Sequence, residues 1–200
     1  HPCEYSGCRV VDNMLRFLVS KDPRAYKLRS KFVFHMVPVV AMDSWYEGFQ
    51  EHPSTVNLNR DWIDFSQPET AAVRDFLDEA VKRGEKLVLA LDMHNGWTSK
   101  EKNGASMTIS PDEVVGIEHA ERQKALIDMI CRECDYLKPG SYWHNGFRGH
   151  TFQGFAYKRY GCQAHTVEFS RFDLWDRASG QYVHLTAERV EKLSADFLKV

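Results

Sequence analysis

The segment KLVLALDM, at residues 86–93, constrains the fold more than any other part of the sequence. Its apolar residues follow one another almost without interruption, which is typical of a parallel strand covered on both faces. An amphipathic helix pattern, PETAAVRDFLDEAVKRG, precedes it, with Pro68 at its start and Gly84 at its end. A second helical pattern follows it after Ser110. Strands that alternate with helices indicate an α/β domain with a mainly parallel sheet.

Four further segments have a helix or strand pattern: CRVVDNMLRFLVSK and TAERVEKLSADFLKV as helices, KFVFHMVPVV and AHTVEFS as strands. The helix after Ser110 is predicted to start with a capping box, in which Ser110 is the N-cap and Glu113 the third helical residue. Residues 41–67 and 135–163 are predicted to be mostly loop, and loops of that length are usually functional. No linker or repeat divides the 200 residues, which we therefore expect to form one domain.

Composition excludes several classes of protein. The net charge is −2 and no basic block stands out, so nucleic acid is not an expected partner. No apolar run approaches the ~20 residues of a membrane-spanning helix, so we expect no membrane span. Five cysteines, an odd number, do not indicate a disulfide framework, and Cys131-x-x-Cys134 lacks the second pair of a zinc site. A cytoplasmic location is the prediction, with a processed secreted chain left open.

Two predicted strands end in ionisable residues. His94 follows the apolar run of KLVLALDM, and Glu168 lies near the end of AHTVEFS. In α/β folds, ligands bind beyond the carboxyl ends of the strands. We therefore expect His94, Glu168 and the loop at 41–67 to meet at one edge of the sheet.

The first four residues, His1-Pro2-Cys3-Glu4, add two further metal-ligand types just before the first helix. Catalytic zinc sites use three protein ligands and keep a fourth position open. His1, Glu4 and His94 would supply three, and Asp92 is a neighbouring carboxylate of the kind that orients metal ligands. An H-x-x-E pattern alone is common by chance, and an exposed terminal histidine with an unrelated loop histidine remains an alternative.

A set of motifs makes the interpretation more specific. The long stretch HPCEYSGCRVVDNMLRFLVSKDPRAYKLRSKFVFHMVPVVAMDSW, followed by NLNRDW, resembles the zinc carboxypeptidases, especially the cytosolic carboxypeptidase-like branch. That family carries an HPGE-type ligand motif, a D-L-N-R element, a D-L-H third ligand and a catalytic glutamate on a late strand. The corresponding residues here, in the same order, are His1–Glu4, Asn59-Arg60, Asp92–His94 and Thr166–Glu168. The resemblance spans essentially the whole chain.

The resemblance implies a fold and a chemistry. The fold would be a three-layer α/β/α sandwich with a mixed, mainly parallel central sheet, and residues 1–200 would form a single zinc carboxypeptidase-like catalytic domain. One Zn²⁺, held by His1, Glu4 and His94, would polarise the scissile carbonyl and activate a water molecule. Glu168 would take the proton from that water and pass it to the leaving nitrogen.

The substrate implied by the resemblance is the C-terminus of a peptide or protein. Asn59 and Arg60 match the family pair that holds its terminal carboxylate, a task that suits arginine because its planar fork can bind a carboxylate bidentately. Ordinary loop capping is the alternative role for this pair. Nothing in the sequence indicates an oligomeric state.

Several positions depart from the family pattern. Ala41-Met42-Asp43-Ser44 stands where the family has N-P-D-G, and Asn57 replaces the aspartate that precedes L-N-R. No arginine lies between Lys31 and Arg60, so an oxyanion-stabilising role would fall to another side chain. The candidates for that role are Gln50, His52, Arg148 and Arg159. The family's strands before the first ligand have no counterpart in the sequence, and we expect this upstream segment to be missing from it.

Two other functions fit part of the pattern. An N-acyl amino acid deacylase, similar to aspartoacylase or succinylglutamate desuccinylase, would share the ligand order, and DMHN at 92–95 is close to the third-ligand motif of those enzymes. Their first motif begins with His-Gly, however, whereas this chain has His-Pro. A non-catalytic zinc- and peptide-binding relative would keep the metal and Arg60 without turnover.

Overall fold

The computed structural model describes residues 1–47, 54, 56–96, 105–140, 142–144 and 149–199. The helices are α1 (Tyr5–Val19), α2 (Pro23–Arg29), α3 (Met42–Glu47), α4 (Pro68–Lys82), α5 (Asp112–Val115), α6 (Ile117–Glu133), α7 (Phe152–Tyr160) and α8 (Ala187–Phe197). The strands are β1 (Leu89–Asn95), β2 (Ala105–Ile109), β3 (Tyr142–His144), β4 (Gln163–Phe169), β5 (Asp173–Asp176) and β6 (Gln181–His184). Residues Leu58–Arg60 form a short 3-10 helix.

The central sheet has four described strands in the order β1-β4-β2-β3. β1 pairs with β4 in parallel, β4 pairs with β2 antiparallel, and β2 pairs with β3 in parallel. The register of the first pair sets Asp92 beside Thr166 and His94 beside Glu168. The mixed, mainly parallel sheet predicted from the sequence is therefore confirmed. β5 and β6 form a separate antiparallel hairpin.

Helices cover both faces of the sheet. On one face, Met107, Val167 and Phe169 join the main core, which contains buried residues of α1, α6 and α8. On the other face, Ala164 of β4 packs with Ala156 of α7 in a smaller cluster. The three-layer α/β/α arrangement is thus confirmed. The thiols of the C-x-x-C pair belong to the main core, where burial explains their presence without a metal.

α1 shows how the sequence pattern produces the packing. Val10, Met14 and Leu18 are buried at helical spacing, and Leu15, about 100° around the helix from Met14, is 37% exposed. Burial of three large apolar side chains stabilises the helix against β1 and α8 by several kcal/mol, at ~2 kcal/mol for each. The start of α1, which carries Glu4 immediately before it, is thereby fixed near the end of β1.

Two predicted elements differ from the sequence patterns. Residues 32–37 have no strand assignment, because a cavity rather than a hydrogen-bonded neighbour lies between this segment and β1 among the described residues. β1 is accordingly at the edge of the described sheet, and its first residue, Leu89, is 42% exposed instead of covered on both faces.

The helix predicted after Ser110 is divided into α5 and α6. Gly116 separates them with a φ of 81°, a left-handed value that no helical residue adopts. The Ser110 hydroxyl accepts a hydrogen bond from Gln153 Nε2 instead of capping the helix. The capping box predicted from Ser110 and Glu113 was therefore wrong.

Residues 135–163, predicted to be mostly loop, contain a helix, α7, that the sequence pattern did not predict. This helix starts at Thr151, whose hydroxyl accepts from the Gly154 amide, and ends at Gly161 in a left-handed conformation. Four of its nine residues are buried in succession, Gln153 to Ala156, so the sequence lacks the one-sided periodicity of a surface helix. Among the described residues, no helix has the length and apolar character needed to cross a bilayer.

Candidate metal centre

His1, Glu4 and His94 meet at the carboxyl end of β1. One donor atom from each of the three lies within 4.8 Å of the other two. Glu4 is in the middle: its Oε1 is 2.9 Å from His1 Nδ1 and its Oε2 is 2.5 Å from His94 Nδ1. Glu4 and His94 are buried, and His1 is exposed. Two imidazoles and one carboxylate converging in this way form a donor set that suits Zn²⁺.

The three residues reach this point by two routes. His1 and Glu4 belong to one turn, in which the Glu4 amide donates to the His1 carbonyl at 3.1 Å just before α1 begins. His94 is the sixth residue of β1, and the two-residue repeat of a strand puts Asp92 on the same face. Because the start of α1 lies next to the end of β1, His1 and Glu4 come close to His94, which is 90 residues or more further along the chain.

The other ring nitrogen of each histidine has an oxygen partner. His94 Nε2 lies 3.0 Å from Asp92 Oδ2, and His1 Nε2 lies 3.2 Å from Asn57 Oδ1. These contacts favour the tautomer in which Nε2 carries the proton and donates it to oxygen. The Nδ1 of each ring faces a Glu4 oxygen, to which it donates when protonated, and loss of that proton would free its lone pair for a metal ion. Histidines that bind a metal almost always have such an outer partner.

The charges of the site favour a cation. Burial alone would lower the pKa of His94, but the carboxylates of Asp92 and Glu4 outweigh burial and raise that pKa to about 10. For Glu4, burial favours the neutral acid, whereas the hydrogen bond and charge of His94 lower the pKa below its usual value. Two carboxylates thus surround a single buried imidazole, and positive charge at this position is strongly stabilised. The donor atoms and the charge both fit a divalent metal ion.

Asn59 lies at the edge of this centre and connects three elements. Its Nδ2 donates to Asp92 Oδ2 at 2.9 Å and also lies 2.9 Å from His94 Nε2. Its Oδ1 accepts from the Phe152 amide at the start of α7, again at 2.9 Å. Asn59 therefore contacts the outer partner of His94 and holds the 3-10 helix against β1 and α7.

Aromatic packing fixes the same loop. Trp62, which is 6% exposed, stacks on Phe155 with ring centroids 5.4 Å apart and meets Phe152 edge-on at 4.8 Å. Asp61 accepts hydrogen bonds from Ser66 and Thr70 at the start of α4. The segment that carries Asn57 and Asn59 is thus held rigidly on both sides.

Glu168 and Arg60 occupy different positions. Glu168 is half-buried and is the register partner of His94, so the two side chains leave the sheet on the same face from strands about 4.8 Å apart. Arg60 is exposed at the end of the 3-10 helix, and its Nη1 donates to the Asn59 carbonyl at 2.6 Å. The structure therefore places Glu168 beside His94 on the neighbouring strand and leaves Arg60 at the surface.

A cavity of about 350 Å³ opens next to the centre. His1, Glu4, Asn59 and His94 line it, whereas Arg60 and Glu168 do not. The opposite wall is apolar and consists of side chains from residues 37–41 and from α4, such as Val39, Phe76 and Leu77.

Some positions considered for the oxyanion role lie outside the described residues, namely Gln50, His52 and Arg148. Arg159 is described, and its guanidinium binds both oxygens of Asp78 on the surface, at 2.7 and 2.6 Å. That ion pair between α7 and α4 gives Arg159 a structural role away from the centre.

One residue at the centre was not singled out in the sequence. Asn95 is 2% exposed and follows His94 directly. A buried amide at the end of an apolar strand requires hydrogen-bond partners, and that requirement was the signal in the sequence that could have identified it.

Comparisons with known proteins show what the chain resembles in sequence and in fold. No family profile matches the sequence. The chain is 31% identical over 99 residues to cytosolic carboxypeptidase 6 of Caenorhabditis elegans, an alignment that covers 47% of this chain and 22% of the relative. It is 33% identical over 107 residues to human cytosolic carboxypeptidase 4, covering 52% of this chain and 9% of the relative. The chain thus matches less than a quarter of the length of these relatives.

Solved structures extend the comparison over the whole chain. A metallo-carboxypeptidase from Pseudomonas aeruginosa, in complex with (2-guanidinoethylmercapto)succinic acid, matches with a TM-score of 0.78 at 18% identity, covering 99% of this chain and 53% of that one. A metallo-carboxypeptidase from Burkholderia cenocepacia matches with a TM-score of 0.73 at 22% identity and the same coverages. The fold is that of the metallo-carboxypeptidases. The sequence relatives, over about half of this chain, and the structural neighbours, over nearly all of it, are both carboxypeptidases.

Proposed function

We propose that the protein is a zinc-dependent hydrolase that removes C-terminal residues from peptides or proteins. The observation that carries this proposal is the position of the Glu4 carboxylate between the Nδ1 atoms of His1 and His94, at 2.9 and 2.5 Å. The oxygen partners on both Nε2 atoms support it, because they leave the two Nδ1 atoms, which face Glu4, as the nitrogens available to an ion. His1, Glu4 and His94 would hold the ion.

The protein side chains would divide the chemistry among them. When bound, a zinc ion acts as a Lewis acid toward a carbonyl oxygen and lowers the pKa of water. Glu168 accepts the proton of the attacking water and donates it to the leaving nitrogen, a role supported by its register with His94 on one face of the sheet. The proton passes between carboxylate and substrate without leaving the site.

Arg60 binds the terminal carboxylate of the substrate. Arg60 is exposed and follows Asn59, which lines the cavity, and an arginine can donate two parallel hydrogen bonds to a carboxylate. Asn59 stands beside it and also contacts Asp92. This pair would therefore connect substrate binding with the outer partner of His94.

The same proposal includes a cytoplasmic location. The cysteines among the described residues are free thiols, and the sequence relatives include cytosolic carboxypeptidases. Peptide or protein C-termini of the cytoplasm are the implied substrates.

The test combines metal analysis with turnover. The purified protein, stripped with chelator and reloaded, should bind one zinc ion and release the last residue from peptides that differ only at that residue. Glu168→Gln should keep the zinc and lose turnover by a factor of ~10²–10⁴. Glu188→Gln, an exposed change in the first turn of α8, is the matched control and should alter neither.

Each other outcome decides against the proposal in a different way. Hydrolysis of N-acetylaspartate without cleavage of peptides would identify a deacylase. Zinc binding and peptide binding without turnover would identify a binding protein. A protein that binds no zinc would remove the metal centre, and with it the function proposed here.

A further inference from the structure

α1 lacks an N-terminal cap of its own. Glu4 occupies the N-cap position, but its side chain makes no hydrogen bond to the helix because both of its oxygens face the histidines of the centre. The first amides of a helix have no partner within the helix, and a buried helix start needs acceptors from elsewhere. Gly7, in the first turn, is buried, so water does not supply them.

Asn95 supplies the missing acceptor from a different element. Its Oδ1 accepts hydrogen bonds from the Ser6 amide at 3.0 Å and from the Gly7 amide at 3.4 Å. The carbonyl oxygen of one side chain at the end of β1 thus caps a helix whose own N-cap residue faces the candidate metal site.

Asn95 also contacts Glu4 itself. The Asn95 backbone amide donates to Glu4 Oε2 at 3.1 Å, the same oxygen that lies 2.5 Å from His94 Nδ1. Asn95 therefore joins the strand that carries His94 to the helix that follows Glu4, and it does so next to both side chains. Rotation or sliding of α1 relative to β1 would strain these bonds together with the contact between Glu4 and His94.

We propose that Asn95 is a positioning residue, which fixes the separation between the Glu4 carboxylate and the His94 imidazole and thereby sets the affinity of the site for its metal ion. The proposal rests on the metal centre described under the proposed function. Asn95 binds no metal and touches no substrate in this role. Outer residues that orient metal ligands typically contribute 10- to 100-fold to metal affinity.

The experiment measures zinc affinity by competition with a chromophoric chelator, together with the thermal stability of the metal-free protein. Asn95→Leu, which keeps the approximate shape but removes the acceptor, should weaken zinc binding about 10- to 100-fold. Asn95→Asp keeps an acceptor at the same place, and its affinity for zinc should stay within about threefold of the wild-type value.

A matched control separates positioning from ordinary stability. Thr186 caps α8 by accepting from the Arg189 amide, and α8 carries no residue of the centre. Thr186→Ala should lower the melting temperature of the metal-free protein as a lost cap does, while zinc affinity stays within about twofold. The visible absorption spectrum of the cobalt-loaded protein, which reports ligand geometry, should change in Asn95→Leu and stay the same in Thr186→Ala.

Three negative outcomes can be told apart. If the wild type binds zinc and Asn95→Leu binds it equally tightly with an unchanged cobalt spectrum, Asn95 does not position the ligands, and the metal centre stands. If Thr186→Ala weakens zinc binding as much as Asn95→Leu does, the effect is one of general stability and the inference is again overturned. Absence of zinc binding in the wild type would instead refute the centre itself.

Discussion

Gly7 of α1 lies directly against the carbonyl of Met93 in β1. A methyl group on Gly7 would stand 2.8 Å from the Met93 carbonyl carbon and closer still to its oxygen, and 3.3 Å from the His94 amide nitrogen. These neighbours are backbone atoms of a strand, which cannot move aside as a flexible side chain can. The close approach of helix and strand at this point therefore requires glycine.

Gly7→Ala should both destabilise the fold and damage the metal site. In an exposed helix this change would stabilise by ~1 kcal/mol, because alanine is the better helix former. Here α1 must move away from β1, so we expect a net loss of about 2 kcal/mol or more and weaker zinc binding. Urea unfolding and chelator competition measure the two effects. Ser6→Ala is the control: the backbone amide of residue 6 can still donate to Asn95, so stability and zinc binding should hardly change. A stable, zinc-binding Gly7→Ala protein would disprove the steric argument.

Substitutions at Asp92 and Asn57 should change the affinity for zinc in opposite directions. Asp92 partners His94 with a carboxylate, whereas Asn57 partners His1 with a neutral oxygen. A carboxylate partner makes an imidazole a better ligand, so Asp92→Asn should weaken zinc binding by about 10- to 100-fold. Asn57→Asp should strengthen it, since the new carboxylate can still accept from the Asn59 amide. Titration calorimetry of both variants checks the signs, and equal affinities throughout would contradict the outer-partner role.

Arg60→Ala should chiefly raise KM. If Arg60 binds the terminal carboxylate of the ground-state substrate, its loss removes a charged hydrogen bond. KM should then rise by a factor of ~10–100, while kcat stays nearly unchanged. Arg60→Lys retains charge without the planar fork and should give an intermediate KM. Steady-state kinetics with a single peptide suffices, and an unaltered KM in the alanine variant would remove Arg60 from the site.

Asp61→Ala should destabilise the protein without abolishing zinc binding. The Asp61 carboxylate is 3% exposed and accepts from the Ser66 amide and hydroxyl, the Gln67 amide and the Thr70 hydroxyl. Loss of bonds to a buried charged group typically costs about 2–3 kcal/mol. Asp64→Ala, an exposed change in the same loop, is the control for urea unfolding. Equal stability of the two variants would show that Asp61 is not the anchor of this loop.

His165 should make the fold sensitive to acid. His165 is fully buried, and its Nδ1 donates to the Thr108 carbonyl at 2.8 Å. Burial lowers the pKa of His165 to about 4. The charge of His119 also lowers this pKa, whereas the hydrogen bond to Thr108 raises it by a smaller amount. In the unfolded chain the histidine has a pKa of ~6.5, so it binds a proton at a pH where the buried His165 of the folded protein stays neutral. Stability therefore falls as the pH drops below about 6.5, by ~2 kcal/mol at pH 5.

His165→Asn tests this linkage, because asparagine can keep the donor to Thr108 but does not titrate. The variant should lose stability at neutral pH through its smaller volume, yet lose ~2 kcal/mol less than the wild type between pH 7.5 and pH 5. Urea unfolding in excess chelator at both pH values removes the contribution of the metal centre. Parallel pH profiles for the two proteins would mean that His165 is not the acid-sensitive group.

The sequence predicted those features that depend on local pattern. α1, α4 and α8 were predicted from one-sided apolar spacing, and β4 from its short apolar run. The meeting of His94 and Glu168 followed from a general property of parallel strands. Capping by Asn95 and the contact of Gly7 with Met93 could not be predicted, because they depend on how α1 docks on β1.

The errors have physical causes of the same kind. Residues 32–37 have the composition of a strand. A strand also requires a hydrogen-bonded neighbouring strand, and in the described part of the chain these residues have none. The Ser110 hydroxyl could cap a helix, but Gln153 of α7 binds it instead. In both cases a partner distant in sequence decided the outcome.

The contact between Glu4 and His94 joins residues 90 positions apart. A cation bound to both would stabilise the folded chain by mass action, because the separated side chains of the unfolded chain do not form its site. An ion present at about 1,000 times its dissociation constant contributes ~4 kcal/mol in this way. Removing the ion would therefore loosen the attachment of the first helix to the sheet, so that proteolysis near the start of the chain would reveal the metal-free state.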